Sequence, residues 1–407
     1  MTFGRVRPVQ RSNIAKVIVK IPRQRTAPGL LAPVPPLRPG RYAGDMEQVI
    51  GHADLRRELA ALAASPEPPH ALLFAGPEST GRAVLARYLA MLLNCEALHP
   101  PPAAGASLFG DALPPAASAP GEPCGACRAC RLILEGAHPD VITVAPGDTL
   151  CRPREGESHP AHPDSADIRI CQVRGITELV ARYPFEARTR VIIIDPADRL
   201  ALYAAPALLK TLEEPPGHTV FVLVTAAPDR LLETIISRCR RIDVRPVARA
   251  EIEAGLLARG VDPRIAAEAA AAARGRPGRA LAFVADPDLM GQRSRILERC
   301  AQLAAAGIPA RFDYARTLAE RWRGDQAAVR FELECWEAFW EERLRRAAAS
   351  GAREELAGPL EALRAVAAAR EHLLANVQAR PAFDLMLLRF PRVTLEPSTE
   401  EELPAHA

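Results

Sequence analysis

Five short runs of apolar and β-branched residues mark the first half of the chain: Ala71–Ala75, Val141–Val144, Val191–Ile194, Val220–Val224 and Ile242–Val244. Between them, apolar residues recur at helical spacing over Leu85–Leu93, Ile168–Arg182, Ala204–Leu212 and Leu231–Ser237. Strands that alternate with helices predict an α/β fold, a parallel sheet covered on both faces. Two segments break the alternation. Residues 99–123 are rich in Pro, Ala and Gly, and 145–166 mix Pro, Gly, His and charges, so both are expected to be exposed insertions. Beyond Pro246 the sequence is Ala- and Leu-rich at helical spacing, with no strand candidate until about Arg392. Gly275-Arg276-Pro277-Gly278 should separate two helices there. Residues 288–390 predict an all-helical bundle. Its Trp322, Trp336 and Trp340 are expected to pack, because no cationic stripe interleaves them as base stacking would require.

A chain of 407 residues predicts two or three domains, each large enough for a core. The formal charge is +3, but residues 1–44 hold nine Arg or Lys and no acid, which leaves the rest net negative. Residues 1–44 are therefore expected to be a disordered basic extension, and the acidic residues from Pro397 onward a disordered end. The body is not a basic nucleic-acid surface. No stretch reaches the roughly 18 apolar residues of a membrane helix, and no secretory signal is apparent at the start. Nine cysteines, three of them at two-residue gaps, suit a reducing compartment and metal binding, so a cytoplasmic protein is expected.

The run Ala71–Ala75 feeds Gly76-Pro77-Glu78-Ser79-Thr80-Gly81-Arg82-Ala83 and then a helical pattern. Gly76 and Gly81 stand where the phosphate-binding pattern G-x-x-x-x-G-K-[ST] needs them. The phosphate-holding lysine is replaced by Arg82 and the Mg²⁺-holding hydroxyl by Ala83. No other lysine lies nearby, since the chain holds only Lys16, Lys20 and Lys210. Backbone amides at a helix start still attract phosphate without a lysine, or the loop is kept only as a turn. The matching second half of such a site is a strand ending in Asp-Glu. Here the strand runs into Asp195-Pro196-Ala197-Asp198, and Pro196 cannot act as a base. Two losses in one site predict an inactive one.

Cys124-x-x-Cys127-x-x-Cys130, with Cys95 upstream, offers four thiolates for tetrahedral Zn²⁺. Free loop cysteines or an iron–sulfur cluster would also accept this spacing, although the downstream Cys-Pro usual for a cluster is missing. Ser237-Arg238-Cys239 follows a helical pattern and precedes a strand. An arginine at such a domain edge can reach a neighbour's γ-phosphate.

Taken together, these segments resemble the delta-prime subunits of the bacterial DNA polymerase III clamp loader, within the AAA+ superfamily. The resemblance covers about half the chain, Val49 to Val247. It rests on the cysteine module, Gly136-Ala137-His138-Pro139-Asp140, the strand ending in Asp195, Ala207-Leu208-Leu209-Lys210-Thr211-Leu212-Glu213-Glu214-Pro215-Pro216, and Ser237-Arg238-Cys239. It implies a RecA-like AAA+ domain over 45–246 with a zinc module over 95–130, a helical lid over 247–287 and a helical collar over 288–393, ahead of a tail at 394–407. It implies a stator that does not hydrolyse ATP itself, although it belongs to the DNA polymerase holoenzyme. It further implies that Arg238 serves as a finger in trans, and that the partners are gamma/tau motor subunits, the delta subunit, the sliding clamp and primer-template DNA. Thr225 falls where the family has a nucleotide-sensing residue. Two other readings stay open: an active gamma/tau-like ATPase in which Arg82 replaces lysine, since a guanidinium binds phosphate bidentately, and a zinc-dependent nucleic-acid-binding module.

Overall fold

The five apolar runs form one all-parallel sheet of β1 (Ala71–Ala75), β2 (Val141–Val144), β3 (Arg190–Ile194), β4 (Thr219–Thr225) and β5 (Arg240–Asp243), in the spatial order β2-β3-β4-β1-β5. The computed structural model describes residues 49–100, 121–148, 150–152, 162, 165–201, 203–351, 353–375 and 377–393. The 1–44 extension, the 394–407 tail and much of both insertions lie outside these. Strands β3 and β4 extend past their apolar runs to Arg190, Thr219 and Thr225, because the backbone makes the ladder whatever the side chain. Strand β5 starts at Arg240, paired to Leu72, where Ile242 was expected to open it. As an edge strand it can carry exposed arginines.

Alternate strand residues point to opposite faces. Leu72, Phe74, Ile193 and Val222 pack beneath α1 (Ala53–Ala63), α2 (Arg82–Asn94) and α3 (Arg128–Glu135). Leu73, Ile192, Ile194 and Phe221 pack against α4 (Ile170–Val180), α5 (Ala205–Glu213) and the short α6 (Glu233–Ile236). Helices α1 and α3 were not anticipated. Leu59 is the one fully buried residue of α1, and α3 is only eight residues long.

Asp140, just before β2, braces this layer. It accepts hydrogen bonds from the amides of Phe185, Glu186 and Ala187 and from the Arg190 guanidinium. Arg190 in turn donates to the carbonyls of Leu179, Arg182 and Tyr183.

The remainder is helical: α7 (Arg249–Leu257), α8 (Pro263–Ala273), α9 (Pro277–Ala285), α10 (Pro287–Ala305), α11 (Ile308–Gly324), α12 (Gln326–Ser350), α13 (Arg353–Leu374) and α14 (Ala379–Leu388). Asp262 before Pro263 and Asp286 before Pro287 start α8 and α10. Each carboxylate caps orphan amides while proline fills a first position that needs no N–H donor. Gly275-Arg276 connects α8 to α9, as expected. Trp336 and Trp340 are fully buried, in ring contact with Phe339 and Phe390, whereas Trp322 is half-buried under Arg330. Among the described residues, the strand candidate near Arg392 is not a strand as far as Val393. The Val393 amide bonds to the Ala304 carbonyl at the end of α10, and no strand lies alongside among the described residues. No helix among the described residues is long and apolar enough to cross a membrane.

Candidate functional site

Strand β1 leaves the sheet at Gly76, whose amide bonds to the Thr225 carbonyl at 3.3 Å. A Cβ there would lie 2.1 Å from the Val244 carbonyl oxygen, so only glycine fits this exit. The loop then turns through Ser79 (φ 63°) and Gly81 (φ 101°) into α2. Its carbonyls are taken up on three sides. Pro77 accepts from the Thr80 hydroxyl at 2.8 Å, Thr80 from His52 Nε2 at 2.8 Å, and Ser79 from the Gly278 amide of α9 at 2.9 Å. The loop is thus braced by the starts of α1 and α9.

Arg82 opens α2 and faces Asp195, Glu78 and Asp198. Burial lowers its pKa, and those carboxylates oppose the shift. Asp195 follows β3; burial raises its pKa against the pull of Arg82 and Arg87. Thr225, fully buried at the end of β4, donates to Asp198 at 2.7 Å and accepts from the Ala227 amide at 3.0 Å. The structure therefore gathers Gly76, Gly81, Arg82, Ala83, Asp195 and Thr225 at the carboxyl ends of β1, β3 and β4. Sequence reasoning missed the site roles of His52, Asp198 and Gly278. Only the three-residue step from Asp195 to Asp198, across one 3-10 turn (Ala197–Arg199), was a local signal. Chemically, the cluster sets an arginine in the field of two aspartates, and it has neither a lysine nor a hydroxyl at position 83.

Arg238 stands apart from this cluster. It ends the turn after α6, pairs with Glu213 of α5 at 2.6 Å and donates to the Thr234 carbonyl at 2.8 Å.

The four cysteines converge. The sulfurs of Cys95, Cys124, Cys127 and Cys130 all lie within 4.8 Å of one another. Cys95 caps the end of α2, Cys127 is the N-cap of α3, and Cys130 lies in the first turn of α3. The amides of Cys124, Cys127 and Cys130 donate to the sulfurs of Cys95, Cys124 and Cys127. Burial pushes the Cys124 thiol up, but amides of Cys127 and Ala126 and the neighbouring thiols bring it down to about 7. Burial raises Cys127 and Cys130 instead. Four convergent sulfurs near helix ends could hold a metal ion, and the donor set fits a tetrahedral thiolate site.

A parallel sheet ending in a loop–helix turn, with an acidic strand end beside it, defines a nucleotide-site fold. The family model described as "DNA polymerase III, delta subunit" matches residues 51–248. The delta-prime subunit of Pseudomonas aeruginosa is 32% identical over 269 residues, 65% of this chain and 69% of that protein. That of Bacillus subtilis is 34% identical over 197 residues, 48% of each, so the chain spans about half of that relative's length. The tau subunit of Bacillus subtilis is 33% identical over 52% of this chain and 30% of its own. Among solved structures, a gamma-subunit-related protein of Thermotoga maritima is 17% identical, covering 83% of this chain and 99% of that one, with a TM-score of 0.34. The chain belongs to the delta-prime subunits of DNA polymerase III, clamp-loader proteins of the AAA+ type.

Proposed function

We propose that this chain is a stator of the clamp loader, one that does not hydrolyse ATP and that offers Arg238 to nucleotide held by an adjacent motor subunit. The observation that carries this reading is that α2 opens with Arg82 and Ala83, where a working loop has its lysine and hydroxyl, with Asp195 the nearby carboxylate. The arginine charge faces the carboxylate that a working site would turn toward Mg²⁺, and no hydroxyl stands at position 83 to help hold the ion. In this reading 45–246 is the AAA+ domain, 247–287 the lid and 288–393 the collar. The partners are gamma/tau and delta, with the sliding clamp and primer-template DNA met through the complex, in the cytoplasm. Cys95, Cys124, Cys127 and Cys130 hold a structural Zn²⁺ that pins the module to the end of α2.

Arg238 must leave Glu213 to act in trans. That exchange is cheap, because a partly exposed pair is worth about 0.2–1 kcal/mol. Arg238→Ala is expected to leave assembly intact and to lower DNA- and clamp-stimulated ATP turnover of the reconstituted loader by about 10³-fold or more at the site it completes. Unchanged turnover would sink the proposal. One observation favours the rival ATPase: Arg82 Nη1 is buried with no hydrogen-bond partner among the described residues, a donor open to an anion. ATP turnover by the isolated chain would establish that rival.

A further inference from the structure

We propose that Cys151, His162 and Cys171 form a second metal site, which holds a divalent ion of the zinc class with two thiolates, one imidazole and a water. Their donor atoms all lie within 4.8 Å of one another, the same bound that the four-cysteine cluster meets. A tetrahedral ion with Zn–S of about 2.3 Å and Zn–N of about 2.0–2.1 Å sets its donors roughly 3.5–3.8 Å apart, so a small contraction closes the site. Two thiolates and an imidazole suit zinc over harder cations, which prefer oxygen.

The convergence is built by anchored backbone. Cys171 is buried in the first turn of α4. Its carbonyl accepts from the Arg152 amide at 2.9 Å, which lays residues 150–152 along that helix. Arg152 also pairs with Glu178 at 3.1 Å, about two turns further along α4. On the other side of Cys151, Leu150 lies against Gly175, where a Cβ would come within 3.0 Å of Leu150 Cγ. Cys151 is therefore fixed between two docked neighbours. The His162 carbonyl accepts from the Ser165 amide at 3.0 Å, and the Ser165 hydroxyl accepts from Arg169, the N-cap of α4, at 3.1 Å. Both arms of the second insertion thus return to the start of α4. Leu150 and Val173 pack in the core on the α4 side, whereas Cys95 and Cys130 belong to the core on the α2 side, so the two sites staple opposite faces of the sheet.

The test counts zinc per chain by plasma mass spectrometry in the full-length protein, purified without chelator under anaerobic conditions. Wild type is compared with Cys151→Ser, His162→Ala and Cys127→Ser. Cys151→Ser and His162→Ala are each expected to lose one metal equivalent relative to wild type. Cys127→Ser reads the four-cysteine cluster separately. Cobalt-loaded Cys127→Ser should retain a thiolate-to-metal absorption band that the added Cys151→Ser change removes. Wild-type zinc in both Cys151→Ser and His162→Ala would overturn the proposal whatever Cys127→Ser does, as would a Cys151–Cys171 disulfide in the anaerobic protein.

Discussion

Asp140 is 1% exposed, and its carboxylate meets three amides and a guanidinium. Burial alone would push its pKa up, but these donors outweigh it and hold the pKa below the ordinary aspartate range. The native form therefore favours the ionised group more than the unfolded chain does. That stabilisation is whole at neutral pH, begins to fade as pH falls to about 4, and is lost below the depressed native value. Asp140→Asn should remove this acid-side slope and lower stability at neutral pH, as urea titrations across a pH series would read. The His-Pro-Asp segment was legible in the sequence, but its work was not, because its partners lie 45 to 50 positions away. Arg82 is a similar case. Its identity was plain, whereas its balance against Asp195 depends on how β1 and β3 are spaced in the sheet.

Among elements, the strands were visible because each holds a short apolar run, and the central β1, β3 and β4 are buried on both faces. Helix α1 escaped notice because it lies on the surface and buries little, and α3 because the cysteine spacing, rather than periodicity, dominates it. The ends of the later helices were also hidden. Arg311 of α11, 5% exposed, donates to the carbonyls of Leu303, Ala304, Leu387, Phe390 and Pro391. It thereby satisfies the last turns of α10 and α14 together. Arg311→Ala leaves several buried carbonyls unpaired at about 1–3 kcal/mol each, so a loss of at least about 3 kcal/mol is expected in urea unfolding. For α3, Cys127→Ser removes both the N-cap sulfur and a proposed metal ligand. Structural zinc contributes about 10–16 kcal/mol of apparent binding in peptides, so a lower melting temperature should accompany the lost metal.

Across the molecule, one continuous apolar cluster runs from Ile50 and Val247 through α7–α14 to Phe390. Ile50 precedes the sheet in sequence yet is buried against α7, where Gly255 leaves room for it: a Cβ at 255 would lie 2.8 Å from Ile50 Cγ2. Arg276 and Arg279 of the α8–α9 region share Glu334 of α12, and Arg274 pairs with Glu341. The Gly278 amide reaches the phosphate-type loop from the same region, so helices and loop are mechanically joined. Ile50→Ala should cost about 2–5 kcal/mol, although Ile50 lies outside the helices it supports; an unchanged urea midpoint would contradict this.

By itself the sequence determined the order of the strands and of the helices between them other than α3, the loss of lysine and hydroxyl from the loop and of glutamate after β3, and the four cysteines. These are properties of residue type and short-range spacing, which local chemistry reads directly. Tertiary structure alone decided what those residues face. It set Arg82 against Asp195, Thr225 against Asp198, Arg238 against Glu213, and Cys151 beside His162 and Cys171. Such juxtapositions join residues that are separated in the chain, and only the closing of the sheet and the docking of its connections bring them together.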